Sequence, residues 1–210
     1  MEYAPKMLPE PSRIETRRAR KKERTRQEIF GAAMELFAAR GFDAVTIEAI
    51  CEAADVARAT FFLHFPGKAA LLWEWNRQVA REFRTGLAEP RGSAVAELRA
   101  LVELISAKLL AQAEVMTGLL REFFAAPPAA SDAREQGQDL HGLVEELVRR
   151  GQARGELRRT IDPRLGVAVI LSTSASILAG NVWAPGELPP EQVRTQFFEV
   201  VFHGLTGETK

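Results

Sequence analysis

This chain of 210 residues predicts an all-α fold, with a small three-helix head built around a helix-turn-helix and a larger helical body behind it. Three observations carry that expectation. Apolar residues recur at spacings of three and four along most of the chain, and no segment shows the alternation of a strand. The stretch TIEAICEAADVARATFFLHFPGKAALL, Thr46 to Leu72, reads as two short helices meeting at a tight corner and running into a third.

Residues 1–19 read as a flexible basic arm, opened by Pro5, Pro9 and Pro11. Formal net charge is zero, yet Arg13 to Arg26 holds eight basic side chains against Glu15 and Glu23, so positive charge is concentrated at one end. The first long helix is expected to begin between Arg20 and Thr25 and to run to Arg40. Ile29, Phe30, Ala33, Leu36 and Phe37 lie on its inner face, with Gly41 as the stop. Thr46 then caps a helix of about two turns that buries Ile47 and Ile50, and Asp55 and Val56 break the pattern. A second short helix, Ala57 to Phe65, buries Phe61 and Phe65 and leaves Arg58, Thr60 and His64 facing outward. Pro66 and Gly67 end it, which closes a head spanning residues 20–66. At ~1.5 Å per residue the second short helix is about 12 Å long, the width of a DNA major groove.

Residues 67–210 form the body. Its stripes are Leu72, Trp75, Val79, Phe83 and Leu87, stopped by Pro90 and Gly92; then Val95, Leu98, Val102, Ile105 and Leu109. Met116, Leu120, Phe123 and Phe124 follow, broken by Pro127 and Pro128, and after them Leu140, Val144, Leu147 and Val148, stopping around Gly151 to Gly155. An uncharged segment from Leu165 to Gly180 and a last stripe of Val193, Phe197, Val201 and Leu205 complete the body. The last two segments differ from the rest. Gly166, Ala168, Ser172, Ala175, Ser176, Ala179 and Gly180 permit close helix approach, and Phe197, Phe198, Val201 and Phe202 make the final helix apolar around much of its circumference. A single subunit is expected to struggle to cover both, which predicts a two-fold homodimer with a four-helix bundle built from two helices of each subunit.

Several function classes are weakened by composition. One cysteine, Cys51, allows no intrachain disulfide and no cysteine-based metal site, and it reads as a core filler in a reducing interior. The 22 uncharged residues from Leu165 to Gly186 approach a bilayer span in length, but Ser172, Thr173, Ser174, Ser176 and Asn181 dilute them and Pro185 and Gly186 close them. A buried helix is expected there, with no membrane partner and a cytoplasmic location. His64, His141 and His203 fall in separate elements, and neither paired carboxylates, metal-ligand spacing nor a phosphate-cradling glycine loop accompanies them. No cofactor and no metal are expected. A helical enzyme or an adaptor that binds only protein stays as the alternative, and both predict little salt-dependent affinity for duplex DNA.

In order as well as composition, the basic arm, LFAARGFDAVTIEAI from Leu36 to Ile50, ATFFLHFPGKAALL from Ala59 to Leu72 and the helical remainder resemble the TetR family of transcriptional regulators. GELRRTIDP, Gly155 to Pro163, looks like the turn before that family's penultimate helix. The resemblance implies a dimeric repressor on palindromic operator DNA, with a ligand-binding and dimerisation domain that takes a small effector. Carried over by position, it places Thr46, Arg58, Thr60, His64 and Lys68 on DNA, with Ala57, Ala59 and Phe61 near bases or backbone and Arg24 in the basic approach. Arg58 is the candidate for reading a guanine edge. Three positions depart from the family pattern: Ala57 replaces a capping serine or threonine, Asp55 stands where glycine is common, and Phe62 replaces a phosphate-binding tyrosine. The lever helix implied by the family runs from Lys68 to about Leu87. Trp75, Phe83, Met116, Leu120, Phe124, His141 and Trp183 are the candidate pocket wall, which suggests a hydrophobic or aromatic effector.

Overall fold

A computed structural model describes residues 13–86, 92–126, 137–178 and 189–206. Within them the chain is helical throughout: α1 (Arg13–Arg40), α2 (Ile47–Ala53), α3 (Arg58–His64), a 3-10 turn (Lys68–Ala70), α4 (Leu71–Gly86), α5 (Ala94–Ala111), α6 (Ala113–Ala125), α7 (Leu140–Arg154), α8 (Pro163–Leu178) and α9 (Pro190–Leu205). The helix that carries the basic run starts at Arg13, several residues before the expected start, so Arg17 to Arg26 ride on α1 and not on a flexible arm. Leu87, Pro90, Pro127, Pro128, Ala179, Gly180, Asn181, Trp183, Pro185 and Gly186 lie outside the described residues.

Local chemistry shapes the head. Gly41 takes the left-handed backbone that ends α1 (φ 78°) and donates its N–H to the Phe37 carbonyl. Thr46 caps α2 by accepting the Ala49 N–H on Oγ1 at 3.1 Å, a contact worth about 1 kcal/mol in such positions. The corner is closed by Asp55, a non-glycine residue at φ 51°. Around it the Asp55 N–H bonds the Glu52 carbonyl and the Val56 N–H bonds the Cys51 carbonyl, the paired bonds of a Schellman stop. Ile29, Ala33, Phe37, Ile50, Cys51, Phe61 and Phe65 then pack into one buried core.

Behind the head, α4, α5, α6 and α7 supply the inner residues of the body, among them Leu98, Leu101, Met116, Leu119, Leu140 and Leu147. Gly155 (φ 76°) ends α7 as the sequence predicts. Its loop turns back over Gly151, where the Leu157 side chain fills the space a Cβ would need. Arg158 next donates its backbone N–H to the Leu205 carbonyl and its Nε to the Thr206 carbonyl, which pins the end of α9 to this loop.

No helix among the described residues is long and apolar enough to cross a membrane. The segment expected as a buried helix is two-faced: Val167, Ile170 and Ser174 of α8 are buried, whereas Leu165, Ala168, Val169 and Ser172 are exposed. The expectation that one subunit could not cover α9 needs correcting. Phe197, Phe198, Val201, Phe202 and Leu205 are all buried within the one chain, and the Arg99 guanidinium lies over the Phe198 and Phe202 rings. Among the described residues of α8 and α9, the large apolar side chains left exposed are Leu165, Val169 and Val200.

Candidate nucleic-acid interface and its linked cavity

Helix α3 turns Phe61 and Phe65 into the head and exposes Arg58, Ala59, Phe62 and Leu63, with Thr60 half-buried beside them. Arg58 forms an ion pair with Glu48 of α2 at 2.7 Å, and its guanidinium stands over the Phe62 ring. Ala57 precedes the helix in an extended conformation without a side-chain cap. Thr46 is exposed, and its hydroxyl oxygen holds the Ala49 amide. Arg24 is exposed on α1 and paired with Glu28 at 3.2 Å.

Three of the candidates carried over by position sit differently from the expectation. Phe61 is fully buried, because the spacing to Phe65 that makes it a core residue also turns it from solvent. His64 is 8% exposed and lies under α1 instead of facing outward. Burial first, then the charges of Arg26 and Lys22, hold its imidazole below the ordinary value. Lys68 is half-buried: its Nζ donates to the carbonyls of Phe42 at 3.1 Å and Val45 at 2.9 Å and rests over the Phe42 ring, so it satisfies the loop before α2. In the other direction, Leu63 goes unnamed in the sequence reading, and Phe62 enters it only as the replacement of a phosphate-binding tyrosine. Phe62 is 43% and Leu63 74% exposed, and each stands four residues after an outward position, Arg58 and Ala59, which was the available signal.

The head is joined to the body by a buried charge network. Glu74 of α4 is fully buried and accepts from Arg26 Nε of α1 at 2.6 Å, from Arg77 Nε at 3.0 Å and from Gln78 at 3.1 Å. Arg26 also donates to the His64 carbonyl and lies over the Phe65 ring, so one side chain joins α1, the end of α3 and α4. Arg77 and Arg81 reach Glu23 on α1 at 2.5 and 3.1 Å. Burial raises the Glu23 carboxyl, but the hydrogen bonds from Arg77 and Arg81 overcome it and hold the group down at about 2. A second junction lies on α6. A Cβ on Gly118 would meet the Phe42 ring at 2.6 Å, and Arg121 bonds both carboxylate oxygens of Asp43.

A cavity of about 240 Å³ opens between α4, α5, α6, α7 and α8. Trp75, Leu120, Phe124 and His141, four of the seven candidates, line it. Phe83 and Met116 do not. Phe83 is buried two turns beyond Trp75, and Met116, one turn before Leu120, is closed into the core. Trp183 is outside the described residues. Sequence reasoning missed Trp73, Asn76, Phe123, Asp139 and Ser174, whose convergence depends on how the helices cross. Among the described residues no group of three His, Cys, Asp or Glu side chains could hold a metal ion.

With this geometry, two family models match the chain: "Bacterial regulatory proteins, tetR family" over residues 29–74 and "Tetracyclin repressor-like, C-terminal domain" over residues 91–205. The chain belongs to the TetR family. It is therefore a DNA-binding transcriptional regulator with a ligand-binding carboxy-terminal domain, in a family that is not enzymatic. The head of this TetR-family chain is 47% identical over 51 residues to the HTH-type transcriptional regulator TcmR of Streptomyces glaucescens, a match covering 24% of this chain and 23% of that protein. At full length it resembles the solved structure of Thermus thermophilus FadR in complex with lauroyl-CoA (TM-score 0.67, 26% identity), covering 88% of this chain and 97% of that one. It shares its fold with RolR bound to resorcinol (TM-score 0.66, 17% identity), covering 90% and 91%.

Proposed function

We propose that this regulator is a homodimeric repressor, released from a palindromic operator when a small hydrophobic or aromatic effector enters the cavity. One observation carries the reading. Leu72, Trp73, Trp75 and Asn76 of α4 line the cavity, while Glu74 between them is held by Arg26 of the head. At ~100° per residue, Glu74 points away from the side on which the other four converge. An effector that displaces the two indoles therefore moves the helix to which α1 is ion-paired, and α1 in turn holds the end of α3 through Arg26 and the His64 carbonyl.

On the DNA side, Arg58, Ala59, Thr60, Phe62 and Leu63 face the major groove in this reading, with Thr46 and Arg24 toward the phosphates. Arg58 reads a guanine edge, and the apolar Phe62 and Leu63 suit thymine methyl groups. The exposed Leu165, Val169 and Val200 of α8 and α9 support a two-fold contact between copies, with the two reading helices about one DNA turn, roughly 34–36 Å, apart. Release requires that the effector bind the spread dimer more tightly than the DNA-fitting one, since equal affinity shifts nothing.

Selection of DNA sites from a random pool, followed by anisotropy titration across salt concentrations, tests this. The expected outcome is one enriched palindrome, bound by a dimer with affinity that falls steeply as salt rises. Salt-insensitive binding, or a pool without enrichment, would refute the operator reading.

A further inference from the structure

Among the described residues that line the cavity, Asp139 supplies the one carboxyl side chain, and it is 4% exposed. Its Oδ1 accepts the Gly142 N–H at 3.0 Å and so caps α7, while Oδ2 faces Nδ1 of His141 at 3.7 Å, too far for a hydrogen bond. Arg84 approaches the same loop, but it donates to the carbonyls of Gly137 and Gln138, pairs with Glu146 at 3.7 Å and is not part of the cavity wall. The rings of Trp73, Trp75, Phe123 and Phe124 line the same cavity, and aromatic faces attract cations. Ser174 donates its own proton to the Ile170 carbonyl at 2.6 Å, which leaves its oxygen as an acceptor toward a ligand.

We propose that the effector is a compact monocation: an aromatic or alicyclic body bearing a protonated amine that pairs with Asp139 while the body lies among the indole and phenyl rings. This rests on the reading of the cavity as the effector site. The size follows from volume. An apolar cavity of about 150 Å³ accepts benzene, so one of about 240 Å³ takes a body of roughly ten to fifteen non-hydrogen atoms. The sign follows from the walls. A carboxylate or phosphate in the same place would be desolvated beside Asp139 with no lysine or arginine among the described lining residues to compensate, whereas an ammonium would meet a buried carboxylate and aromatic rings.

Three probes of one shape test it: 3-phenylpropylamine, 3-phenylpropanol and 3-phenylpropionate. Each is titrated into the full chain without DNA, followed by calorimetry and by tryptophan fluorescence, to which Trp73 and Trp75 of the cavity wall contribute. The amine is expected to bind at least about tenfold more tightly than the alcohol, with the carboxylate weakest. Asp139→Asn keeps a good helix cap and should bring the amine and the alcohol together. A carboxylate that binds as well as the amine, an amine preference unchanged in Asp139→Asn, or no binding by any of the three overturns the proposal. Duplex affinity is measured separately, so a chain that fails to select an operator but still prefers the amine would sink the repressor reading and leave this one standing.

Discussion

Arg26 Nε donates to Oε2 of Glu74 across 2.6 Å, and the accepting carboxylate is wholly withdrawn from water. A charge in that position is tolerable only because Arg26, Arg77 and Gln78 all reach it. Glu74→Ala would leave the Arg26 guanidinium in a poorly solvated place without its carboxylate, while Arg77 keeps Glu23, and the expected loss is about 3 kcal/mol. Urea unfolding should show it as a lower midpoint. Arg26→Met leaves Glu74 paired with Arg77, so it should cost less stability and instead weaken the effect of an effector on DNA affinity, read by anisotropy with and without ligand.

Buried His64 makes head stability depend on pH. Its folded-state value lies below the ordinary imidazole value of about 6.5, so the unfolded chain takes up the proton first. Stability is therefore complete above about pH 6.5 and falls as the pH drops from there toward the folded-state value. Glu23 acts in a separate, lower window: with its carboxyl held at about 2, its contribution is present above the ordinary carboxylate value and lost as pH falls toward 2. Denaturation at pH 7.5 and pH 5.5 should differ for the natural chain, and His64→Leu should remove most of that difference. Equal sensitivity in the variant would assign the effect elsewhere.

Arg58 is held by Glu48 at 2.7 Å, so under the proposed operator reading it must leave that carboxylate to reach a base. Glu48→Gln should raise operator affinity several-fold, chiefly through faster association. Arg58→Ala should relax preference at one base pair by about 1–3 kcal/mol. Lys68→Met should behave differently from both. Its ammonium serves the Phe42 and Val45 carbonyls, so the substitution is expected to lower the melting temperature while the salt slope of DNA binding stays unchanged.

Among the described residues of the last two helices, Leu165, Val169 and Val200 are the large apolar side chains left exposed. Val200→Glu, at a side chain 75% exposed, would cost a lone subunit little but would bury a charge in a contact between copies. Light scattering should show the variant shifting from dimer to monomer with its helix content intact, and affinity for a palindrome should fall with it. A natural chain that is already monomeric at micromolar concentration would remove this contact.

The sequence by itself determined the order and identity of the helices, because their signals are local. Gly41 and Gly155 stop helices where only a left-handed residue fits, and Thr46 caps from its own side chain. The Phe61 and Phe65 spacing likewise marks the inner face of α3 without help from the rest of the chain. Tertiary structure alone decided which polar groups were free to act. His64 and Lys68 look outward on a helical diagram, yet α1 covers the first and the loop carbonyls of Phe42 and Val45 engage the second. No local pattern sets Asp139 apart in a chain rich in carboxylates, and it becomes a candidate only where α7 and α4 close a cavity around it. Glu74 and Arg26 stand 48 residues apart, and no periodicity couples them. Local backbone preference acts over a few residues, whereas desolvation and ion pairing depend on what the rest of the chain brings alongside.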